Sequence, residues 1–342
     1  MPKELICDAP GKLRWNEYDE PALTGRQVRI RGRHGAAKHG TELASFKGYA
    51  AQRGPYDAVH GVWTYAPTGE ARGGMVGNMV VGEVVEVGPE VEALAAGDRV
   101  LAHGGFRQTH VCDERRCWKL PAELSWKSAV CLDPADFALG AVRDGQVRVG
   151  DAVAVLGIGA IGLMAVQLAV AGGASIVIVS DPLPNRRVVA ERLGADVALD
   201  PSTCDVGLEI RKATGNRGAD VVIEYSGTAA AMQAALRGVA FGGNVVAGAF
   251  PPPYAAGLDL GAEAHRHIPN IVFTRSCSEP NRDHPRWDEQ RLLATCMKML
   301  VEGTIGGEEI VTPVVPFDDL LTEYPRIATE PDTYIKLGTE YP

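Results

Sequence analysis

The chain has 342 residues, enough for two domains of ordinary size or one large one. Its 34 Lys and Arg against 43 Asp and Glu give a net charge of −9, and no basic run offsets it, which argues against nucleic-acid binding. Hydrophobic residues make up 46% and charged residues 23%, which fits a folded protein with a full core and excludes intrinsic disorder.

The N-terminus lacks the charged and apolar regions of a signal peptide, and no apolar run is long enough to predict a membrane span. Seven scattered cysteines without such a signal favour reduced thiols, and hence a cytoplasmic protein. Cys112 and Cys117 are the close pair, but two thiols alone do not complete a tetrahedral zinc site.

Residues 1–134 are rich in glycine, valine and turn residues, and their short apolar runs predict strands. One such run covers 80–88, where Gly82 and Gly88 predict tight corners of a small β-barrel. A turn at 97–99 leads into another predicted strand. This part of the chain is therefore expected to be mainly β.

From 135 to 277 the pattern alternates between strands and helices. The predicted strands are 152–156, 176–179, 221–223 and 244–247, and the predicted helices are 161–171, 185–193 and 228–238. Strands that are apolar throughout are typical of parallel sheets covered on both faces, so the region predicts an α/β fold with a doubly wound parallel sheet. In the remaining part, 278–342, apolar residues between 287 and 300 recur at helical spacing and predict a core helix.

Residues 157–162 read Gly-Ile-Gly-Ala-Ile-Gly, directly after a predicted strand and at the start of a predicted helix. Gly157 permits the tight turn, Gly159 lets the backbone approach a pyrophosphate, and Gly162 lets the helix pack closely on the strand. The helix begins at Ala160 and Ile161, whose N–H groups and dipole favour phosphate. The motif in this context predicts a dinucleotide-binding site.

Asp181 ends the second strand of this region, 19 residues after Gly162 and close to the usual spacing of about 20. A carboxylate there accepts hydrogen bonds from the adenosine ribose and repels a 2′-phosphate, so NAD is expected in preference to NADP. Arg186 and Arg187 lie near that position in the sequence, and an arginine there could hold such a phosphate. The alternative is that both are solvated positions in the first turns of the following helix.

The order of these features resembles the medium-chain dehydrogenase/reductase family, which includes zinc alcohol and polyol dehydrogenases and their zinc-free relatives. Three stretches extend the resemblance over nearly the whole chain: His39-Gly40-Thr41-Glu42-Leu43 where the family has C-G-T-D-x-H, Gly77-Asn78-Met79-Val80-Val81-Gly82 where it has G-H-E-x-x-G, and Leu132-Asp133-Pro134 where a Glu-Pro or Cys supplies a ligand. The resemblance implies a Rossmann domain over 135–277 and a GroES-like catalytic domain over 1–134 and 278–342.

The same resemblance puts the family's metal-ligand positions at His39, Asn78 and Asp133. Asn78 would offer a neutral amide oxygen, which is a poor zinc ligand. In the family, a four-cysteine lobe that holds structural zinc is normally inserted after the turn that corresponds to residues 97–100. Here only three residues separate Val100 from Gly104, so this lobe is also missing. We therefore expect neither catalytic nor structural zinc.

Without zinc, a general base must take the hydroxyl proton of an alcohol as its hydride leaves. His39 is the candidate because imidazole titrates near neutral pH, the alternative being a structural histidine bonded to the backbone. The resemblance gives Thr41 the hydroxyl that contacts the substrate oxygen and relays its proton, although Ala44 replaces the family's relay histidine. Asp133 is expected to orient His39 or to bind substrate hydroxyls, and Glu42 to accept backbone N–H groups.

Residues 54–77 correspond to a stretch that borders the substrate cleft in the family, and aromatic faces there would suit the C–H faces of a sugar or cyclitol. The candidate substrate contacts are Tyr56, Trp63, Tyr65, Asn78 and His267. The alternatives are simple loop packing for the aromatic residues and a solvated turn for His267.

These residues predict an NAD-dependent oxidoreductase that transfers a hydride between a secondary alcohol of a sugar, polyol or cyclitol and the nicotinamide. A zinc-free reductase of enones or quinones, which would prefer NADPH, is an alternative, and so is a nucleotide-binding protein without turnover. The expected partner is a small-molecule substrate, with no nucleic acid and no membrane. The resemblance also implies a homodimer or tetramer whose subunits pair around 271–277.

Overall fold

The structure is a computed structural model, and it describes residues 1–48, 56–63, 74–255 and 257–342 of the chain. These residues divide into two units, one formed by Met1–Val130 with Val311–Pro342 and the other by Cys131–Ile310. The first unit is mainly β and the second alternates strands with helices, as the sequence predicts.

The elements have the following bounds. From the N-terminus to residue 130 they are β1 (Lys3–Ala9), β2 (Lys12–Glu17), β3 (Gln27–Ala36), α1 (His39–Phe46), β4 (Tyr56–Asp57), β5 (Val62–Trp63), β6 (Gly74–Met75), β7 (Met79–Val87), β8 (Arg99–His103), β9 (Thr109–Asp113), β10 (Cys117–Lys119) and α2 (Trp126–Ala129). From 131 to 310 they are α3 (Leu132–Asp144), β11 (Ala152–Leu156), α4 (Ala160–Ala171), β12 (Ile176–Ser180), α5 (Pro184–Arg192), β13 (Val197–Leu199), α6 (Val206–Ala213), β14 (Ala219–Glu224), α7 (Ala229–Gly238), β15 (Val239–Ala247), α8 (Glu263–His267), β16 (Asn270–Phe273) and α9 (Glu289–Val301). From 311 onward they are β17 (Val311–Pro316), α10 (Leu320–Glu323), α11 (Arg326–Thr329) and β18 (Lys336–Glu340).

The main sheet of the first unit follows the order β10-β8-β7-β3-β18-β17, with β9 also paired to β3. Glycine is required where β7 passes β3, because a Cβ on Gly82 would lie 2.3 Å from the carbonyl oxygen of Arg31. A Cβ on Gly88 would lie 2.5 Å from the carbonyl oxygen of Gly25. At both glycines, where the sequence predicts tight corners, the backbone of a neighbouring segment lies too close for a side chain.

Helix α1 is held by an apolar core of the first unit. Phe46, near its end, is buried with its ring 5.6 Å from that of Tyr324 in an edge-on contact. Leu337 of β18 and Phe106 belong to the same buried cluster. Since β18 comes from the end of the chain, the C-terminal residues complete the core on which α1 rests.

The sheet of the second unit has the order β13-β12-β11-β14-β15-β16, and each neighbouring pair of strands is parallel. This is the predicted doubly wound sheet. Leu156, the last residue of β11, lies opposite Ser180 on one side and Glu224 on the other. The residues that follow these three strands therefore meet at one edge of the sheet, the edge at which open α/β sheets bind ligands.

The second unit extends farther along the chain than the predicted 135–277. It begins at Cys131 and ends at Ile310, so 278–310 belong to the dinucleotide-binding unit instead of the catalytic one. The physical reason is packing: α9 contacts α3, and the guanidinium of Arg143 on α3 is paired with Asp283 and lies 3.6 Å from the ring centre of Trp287. The core face predicted for α9 is confirmed, since Leu292, Cys296 and Leu300 are buried.

Among the helices of the described ranges, none has the length and apolar character needed to cross a membrane. The seven cysteines are all free thiols. Cys112 and Cys117, at the ends of β9 and β10, have their sulfur atoms 3.2 Å apart.

Candidate active site

The glycine turn of residues 157–162 has the geometry that the sequence predicts. Gly157 adopts a φ of +83°, and a Cβ on it would lie 2.4 Å from the backbone nitrogen of Ser226. A Cβ on Gly162 would lie 2.3 Å from the carbonyl oxygen of Gly157. At Gly159 the surroundings are open, with the nearest atom 3.9 Å away on Arg186. The fold itself thus needs glycine at 157 and 162, whereas at Gly159 it leaves space beside the backbone.

Helix α4 starts at this turn and is suited to an anion. Gly159 is its N-cap, with no side chain to bond the first N–H groups, and Ala160 and Ile161 are its first residues. Both the dipole and the N–H groups of the first turn favour phosphate oxygens. The turn, the open space at Gly159 and the helix start together fit a pyrophosphate.

Asp181 follows β12 and lies beside the glycine turn. Its Oδ2 accepts a hydrogen bond from the backbone nitrogen of Ile158 at 3.0 Å, and its Oδ1 accepts one from that of Leu183, also at 3.0 Å. The side chain is 3% exposed. These two bonds fix the carboxylate at the edge of the turn, where the sequence predicts contacts with the adenosine ribose.

Arg186 and Arg187 differ in their surroundings, and both side chains are largely buried instead of solvated. Arg187 donates to the carbonyl oxygen of Asp181 at 2.6 Å and pairs with Asp200 at 3.0 Å, so its contacts stabilise the loop after β12. Arg186 places Nη1 3.4 Å from Asp181 Oδ2 and also borders Gly159. Arg186 is therefore the guanidinium that could contact a coenzyme at the turn.

Glu224 was not among the predicted site residues, yet it shapes the wall of the turn. It is the last residue of β14 and buried, and its Oε1 accepts hydrogen bonds from the backbone nitrogens of Ser226 and Gly227 at 2.7 and 3.0 Å. Burial raises the pKa of the Glu224 carboxyl. Since Ser226 abuts Gly157, Glu224 fixes the loop against the turn. A carboxylate at the end of a predicted strand, as at Asp181, is the signal that could have identified it.

His39 begins α1 in the first unit. Its Nε2 accepts a hydrogen bond at 2.9 Å from the backbone nitrogen of Leu337 on β18. This bond occupies the lone pair that a general base would use, which argues against the predicted base role and favours the alternative of a backbone-bonded histidine. Thr41, two residues further along α1, is exposed.

Glu42 connects α1 with the segment that precedes β7. Its Oε1 accepts from the backbone nitrogen of Lys38 at 2.6 Å, and its Oε2 accepts from that of Gly77 at 3.0 Å and from the hydroxyl of Tyr324 at 2.9 Å. Burial raises the pKa of the Glu42 carboxyl although these donors oppose the shift. The contacts with backbone N–H groups agree with the role expected for Glu42.

Asn78 follows Gly77, a position that favours glycine for two reasons. Its φ is +92°, and a Cβ there would lie 2.6 Å from the backbone nitrogen of Phe106. The backbone of Asn78 bonds to Ala36 and Gly104, which fixes the residue between β3 and β8. Its Nδ2 atom is buried and has no hydrogen-bond partner within the part of the chain that the structure describes. Such a donor can bind a substrate hydroxyl, so Asn78 remains a candidate substrate contact.

Tyr56 and Trp63 lie opposite each other on the β4-β5 hairpin, with ring centres 5.2 Å apart and an interplanar angle of 62°. They are 54% and 50% exposed, so both rings present apolar surface. The third aromatic candidate, Tyr65, lies outside the described residues.

The position of His267 argues against the predicted substrate contact. It ends α8, directly before β16, and therefore lies at the edge of the sheet where the parallel strands begin, whereas Gly157 and Asp181 lie where they end. The ring contacts the backbone of Leu236, and burial with nearby Arg211 lowers the pKa of His267. His267 is therefore at the opposite edge of the sheet from the glycine turn.

Asp133 is the second residue of α3 in the second unit, and it is buried. His39 and Asn78 belong to the first unit, so the three positions that resemble a ligand set come from both units.

Comparison with known proteins places these features in a family. Residues 160–272 match the family profile described as zinc-binding dehydrogenase. D-guloside 3-dehydrogenase of Escherichia coli (strain K12) is 44% identical over 351 aligned residues, which cover 99% of this chain and 100% of that protein. The chain belongs to the medium-chain dehydrogenase/reductase family. It is therefore an oxidoreductase.

Other relatives agree with this membership. (R,R)-butanediol dehydrogenase of Bacillus subtilis (strain 168) is 30% identical, with 72% of this chain and 75% of that protein aligned. The crystal structure of 2R,3R-butanediol dehydrogenase from Bacillus subtilis has the same fold, with a TM-score of 0.79 at 24% identity and 99% of both chains covered. The predicted combination of a Rossmann domain and a GroES-like catalytic domain is confirmed.

The residues at the family's zinc positions fit a metal poorly. Within the described ranges, no group of three His, Cys, Asp or Glu side chains is placed to hold an ion. His39 has its Nε2 lone pair in a bond to Leu337, which puts the proton of the neutral ring on Nδ1 and leaves neither nitrogen for a metal. Asn78 offers an amide, which is a weak zinc ligand.

Proposed function

We propose that this protein is an NAD-dependent dehydrogenase that oxidises a secondary hydroxyl of a glycoside, most directly the C3 hydroxyl of a hexopyranoside, to the ketone. The observation that carries the proposal is the 44% identity, over essentially both full chains, to D-guloside 3-dehydrogenase. The relatives D-guloside 3-dehydrogenase and (R,R)-butanediol dehydrogenase support a sugar or polyol dehydrogenase, and the choice of glycoside, position and coenzyme is the proposal.

NAD is proposed in preference to NADP because of the fixed carboxylate of Asp181. A 2′-phosphate there would lie against a buried negative charge that already accepts two backbone hydrogen bonds and has no room to withdraw. Ribose hydroxyls, in contrast, can donate to it. Arg186 offers a positive charge nearby, but its Nη1 lies 3.4 Å from Asp181, which offsets its attraction for phosphate.

NAD, when bound, supplies the nicotinamide ring that accepts a hydride from the alcohol. The glycine turn and the first residues of α4 hold the pyrophosphate, and Asp181 orients the adenosine ribose. Glu224 keeps Ser226 and Gly227 packed on the turn, and these hydrogen bonds lower the cost of ordering the cradle around a pyrophosphate.

At the reacting carbon, Thr41 contacts the substrate hydroxyl and passes its proton to water, to which Thr41 is exposed. His39 and Asp133 complete the proposed catalytic set, and Asn78 binds a neighbouring hydroxyl through its buried Nδ2. Tyr56 and Trp63, with Tyr65, are proposed to pack on the C–H faces of the sugar. We propose that no zinc takes part, because the donor set at the family's ligand positions fits a metal poorly.

The test is a panel of methyl hexopyranosides, free hexoses, cyclitols and butane-2,3-diol, incubated with NAD or NADP and followed by NADH or NADPH absorbance. Methyl D-guloside and its epimers should give the highest kcat/KM, and the matched glycoside methylated on O3 should be inert. Activity with butane-2,3-diol and none with glycosides would overturn the substrate assignment. Consumption of NADPH by enones would support the alternative reductase instead.

We also propose a homodimer or tetramer in the cytoplasm. Strand β16 is the edge of its sheet, and Ile271 and Phe273 on it are 45% and 73% exposed. An exposed apolar edge strand is unfavourable in a monomer, so pairing with a second copy would cover it. The seven free cysteines support a reducing compartment.

A further inference from the structure

Cys112 and Cys117 are brought together by the way the chain turns between two strands. Cys112 lies on β9 opposite Val28 of β3, and Cys117 begins β10 opposite Ala102 of β8. A single helical turn, Glu114–Arg116, connects the two strands. The two Sγ atoms lie 3.2 Å apart, a distance at which one thiol can donate to the other. The two thiols are thus in direct contact, although their strands pair with different neighbours.

The turn between the two cysteines is fixed by hydrogen bonds. The carboxylate of Asp113 accepts one from the backbone nitrogen of Arg115 at 3.0 Å. Glu114 is buried, and its Oε2 accepts from the backbone nitrogens of Glu92 and Ala93 at 3.1 and 2.7 Å. Since a disulfide needs its sulfur atoms about 2.0 Å apart, the two thiols would have to approach by about 1.2 Å. Rotation of the two side chains covers a shift of this size without breaking the bonds of the turn.

The two thiols differ in their electrostatic surroundings. A hydrogen bond from Cys117 lowers the pKa of Cys112, and the positive charge of Arg116 lowers it further, against the effect of burial. The same hydrogen bond raises the pKa of Cys117, and burial adds to the shift. Both residues are half-buried, so a small molecule can reach them. Because the thiolate is the reactive form, Cys112 is the nucleophile of the pair.

The other five cysteines are less suited to such a reaction. Three of them are buried: Cys7, Cys131 and Cys296. Cys204 and Cys277 are half-buried, and burial raises the pKa of Cys204, which makes its thiolate rarer at neutral pH. Cys204 and Cys277 therefore serve as internal controls of similar exposure.

We propose that Cys112 and Cys117 are a redox modification site, which reacts with a low-molecular-weight disulfide and closes to an intramolecular disulfide. The thiolate of Cys112 attacks one sulfur of the small disulfide, which releases one small thiolate and leaves a mixed disulfide on Cys112. Cys117 then loses its proton to water and attacks Cys112 Sγ, which releases the second small thiolate. The protein gives up two electrons and two protons, and the small disulfide becomes two thiols. This inference does not depend on the proposed dehydrogenase function.

Closure is favoured once Cys112 has reacted. The hydrogen bond and the negative charge through which Cys112 raises the pKa of Cys117 are then lost. Cys117 also lies next to the sulfur that it attacks, so the second step has the high effective concentration of an intramolecular reaction. A reducing compartment returns such a pair to thiols, which is why disulfides of cytosolic proteins are usually transient.

A redox titration of the full chain tests the site. The protein is equilibrated with mixtures of reduced glutathione and glutathione disulfide, alkylated, digested with trypsin and analysed by mass spectrometry. Trypsin places Cys112 in the peptide 108–115 and Cys117 in the peptide 117–119. We expect these two peptides to be joined and lighter by two hydrogens, while the other five cysteines are alkylated. The ratio of reduced to cross-linked pair should rise with the square of the reduced glutathione concentration, as an intramolecular disulfide requires.

Two serine variants separate the attacking thiol from the resolving one. In Cys117→Ser, the hydroxyl still donates to Cys112, so glutathione should attach to Cys112 and remain there. In Cys112→Ser, the charges of Asp113 and Glu114 disfavour a thiolate on Cys117. We expect the mixed disulfide to form about ten times faster in Cys117→Ser than in Cys112→Ser. Circular dichroism of each protein checks that it is folded during the reaction.

Three results would overturn the proposal. One is the absence of joined peptides in the folded protein at every ratio of glutathione disulfide to reduced glutathione. Another is a linear dependence on reduced glutathione, which would mean that a mixed disulfide forms and the pair never closes. The third is an equal rate in the two variants, which would refute Cys112 as the attacking thiol. Mixed disulfides at Cys204 or Cys277 ahead of closure would likewise contradict the selectivity argued from the contact between the two thiols.

Discussion

Two glycines of the 157–162 turn should separate the stability of the fold from the binding of coenzyme, because a methyl group meets different surroundings at each. At Gly157, φ is +83° and a Cβ would lie 2.4 Å from the backbone nitrogen of Ser226. A left-handed conformation costs a side chain about 1–2 kcal/mol, and displacing a packed neighbour costs about 1–3 kcal/mol more. Gly157→Ala is therefore expected to lose about 2–5 kcal/mol of stability, which lowers Tm by about 4–20 °C.

At Gly159, φ is −68° and the nearest atom to a Cβ is 3.9 Å away, so Gly159→Ala should change the unfolding free energy by no more than about 0.5 kcal/mol. The added methyl group would nevertheless occupy the space through which the backbone approaches the pyrophosphate. We expect the Kd for NADH to rise at least tenfold, which corresponds to about 1.4 kcal/mol.

Thermal unfolding followed by circular dichroism, without coenzyme, measures the first effect, and titration of NADH fluorescence measures the second. The expected result is a crossed pattern: Gly157→Ala melts early, whereas Gly159→Ala melts normally and binds weakly. If Gly159→Ala binds NADH as tightly as the unmodified protein, the turn is not the pyrophosphate site and the reasoning fails. If Gly157→Ala melts normally, the steric argument at Ser226 is wrong.

Four further outcomes are expected. Asp181→Ser should weaken NAD binding and improve kcat/KM with NADP, and unchanged selectivity would show that the carboxylate does not choose the coenzyme. Glu224 has a raised pKa in the folded state, so its contribution to stability is complete below about pH 4.5 and declines as pH rises through the folded value. Glu224→Gln keeps an oxygen for Ser226 and Gly227, so its melting temperature should decline less with rising pH; parallel curves would contradict this. Metal analysis should find less than one zinc per chain, with no loss of activity in a chelator, and a stoichiometric zinc would refute the metal-free mechanism. Phe273→Asp should shift the protein towards the monomer in sedimentation, and an unchanged mass would exclude pairing through β16.

Local pattern was sufficient for much of the second unit. The apolar run 152–156, the glycines at 157, 159 and 162 and the acid at 181 follow from strand and turn chemistry. The helices predicted at 161–171, 185–193 and 228–238 fall within a residue or two of their observed bounds, whereas α3, α6 and α8 were not predicted. These features are local: a parallel strand buried on both faces requires a run of consecutive apolar residues, and a glycine turn requires glycines at fixed spacing. The strand order and the position of His267 could not be predicted in this way. His267 precedes a parallel strand, so it lies at the edge of the sheet where the strands begin, whereas ligands bind at the edge where they end.

The sequence by itself determined the fold class, the glycine turn and the coenzyme candidate Asp181. Only the tertiary structure decided the state of His39 and the role of Glu224. His39 Nε2 accepts a hydrogen bond from Leu337, which is almost three hundred residues away in the sequence. This contact, and no neighbouring residue in the sequence, determines which nitrogen of the ring is the acceptor. Glu224 matters because the loop that its carboxylate holds in place lies against Gly157. Residues 278–310 belong to the second unit because α9 packs on α3. Contacts between distant segments depend on how the elements assemble. Hydrophobic periodicity indicates the secondary structure of one segment and does not predict these contacts.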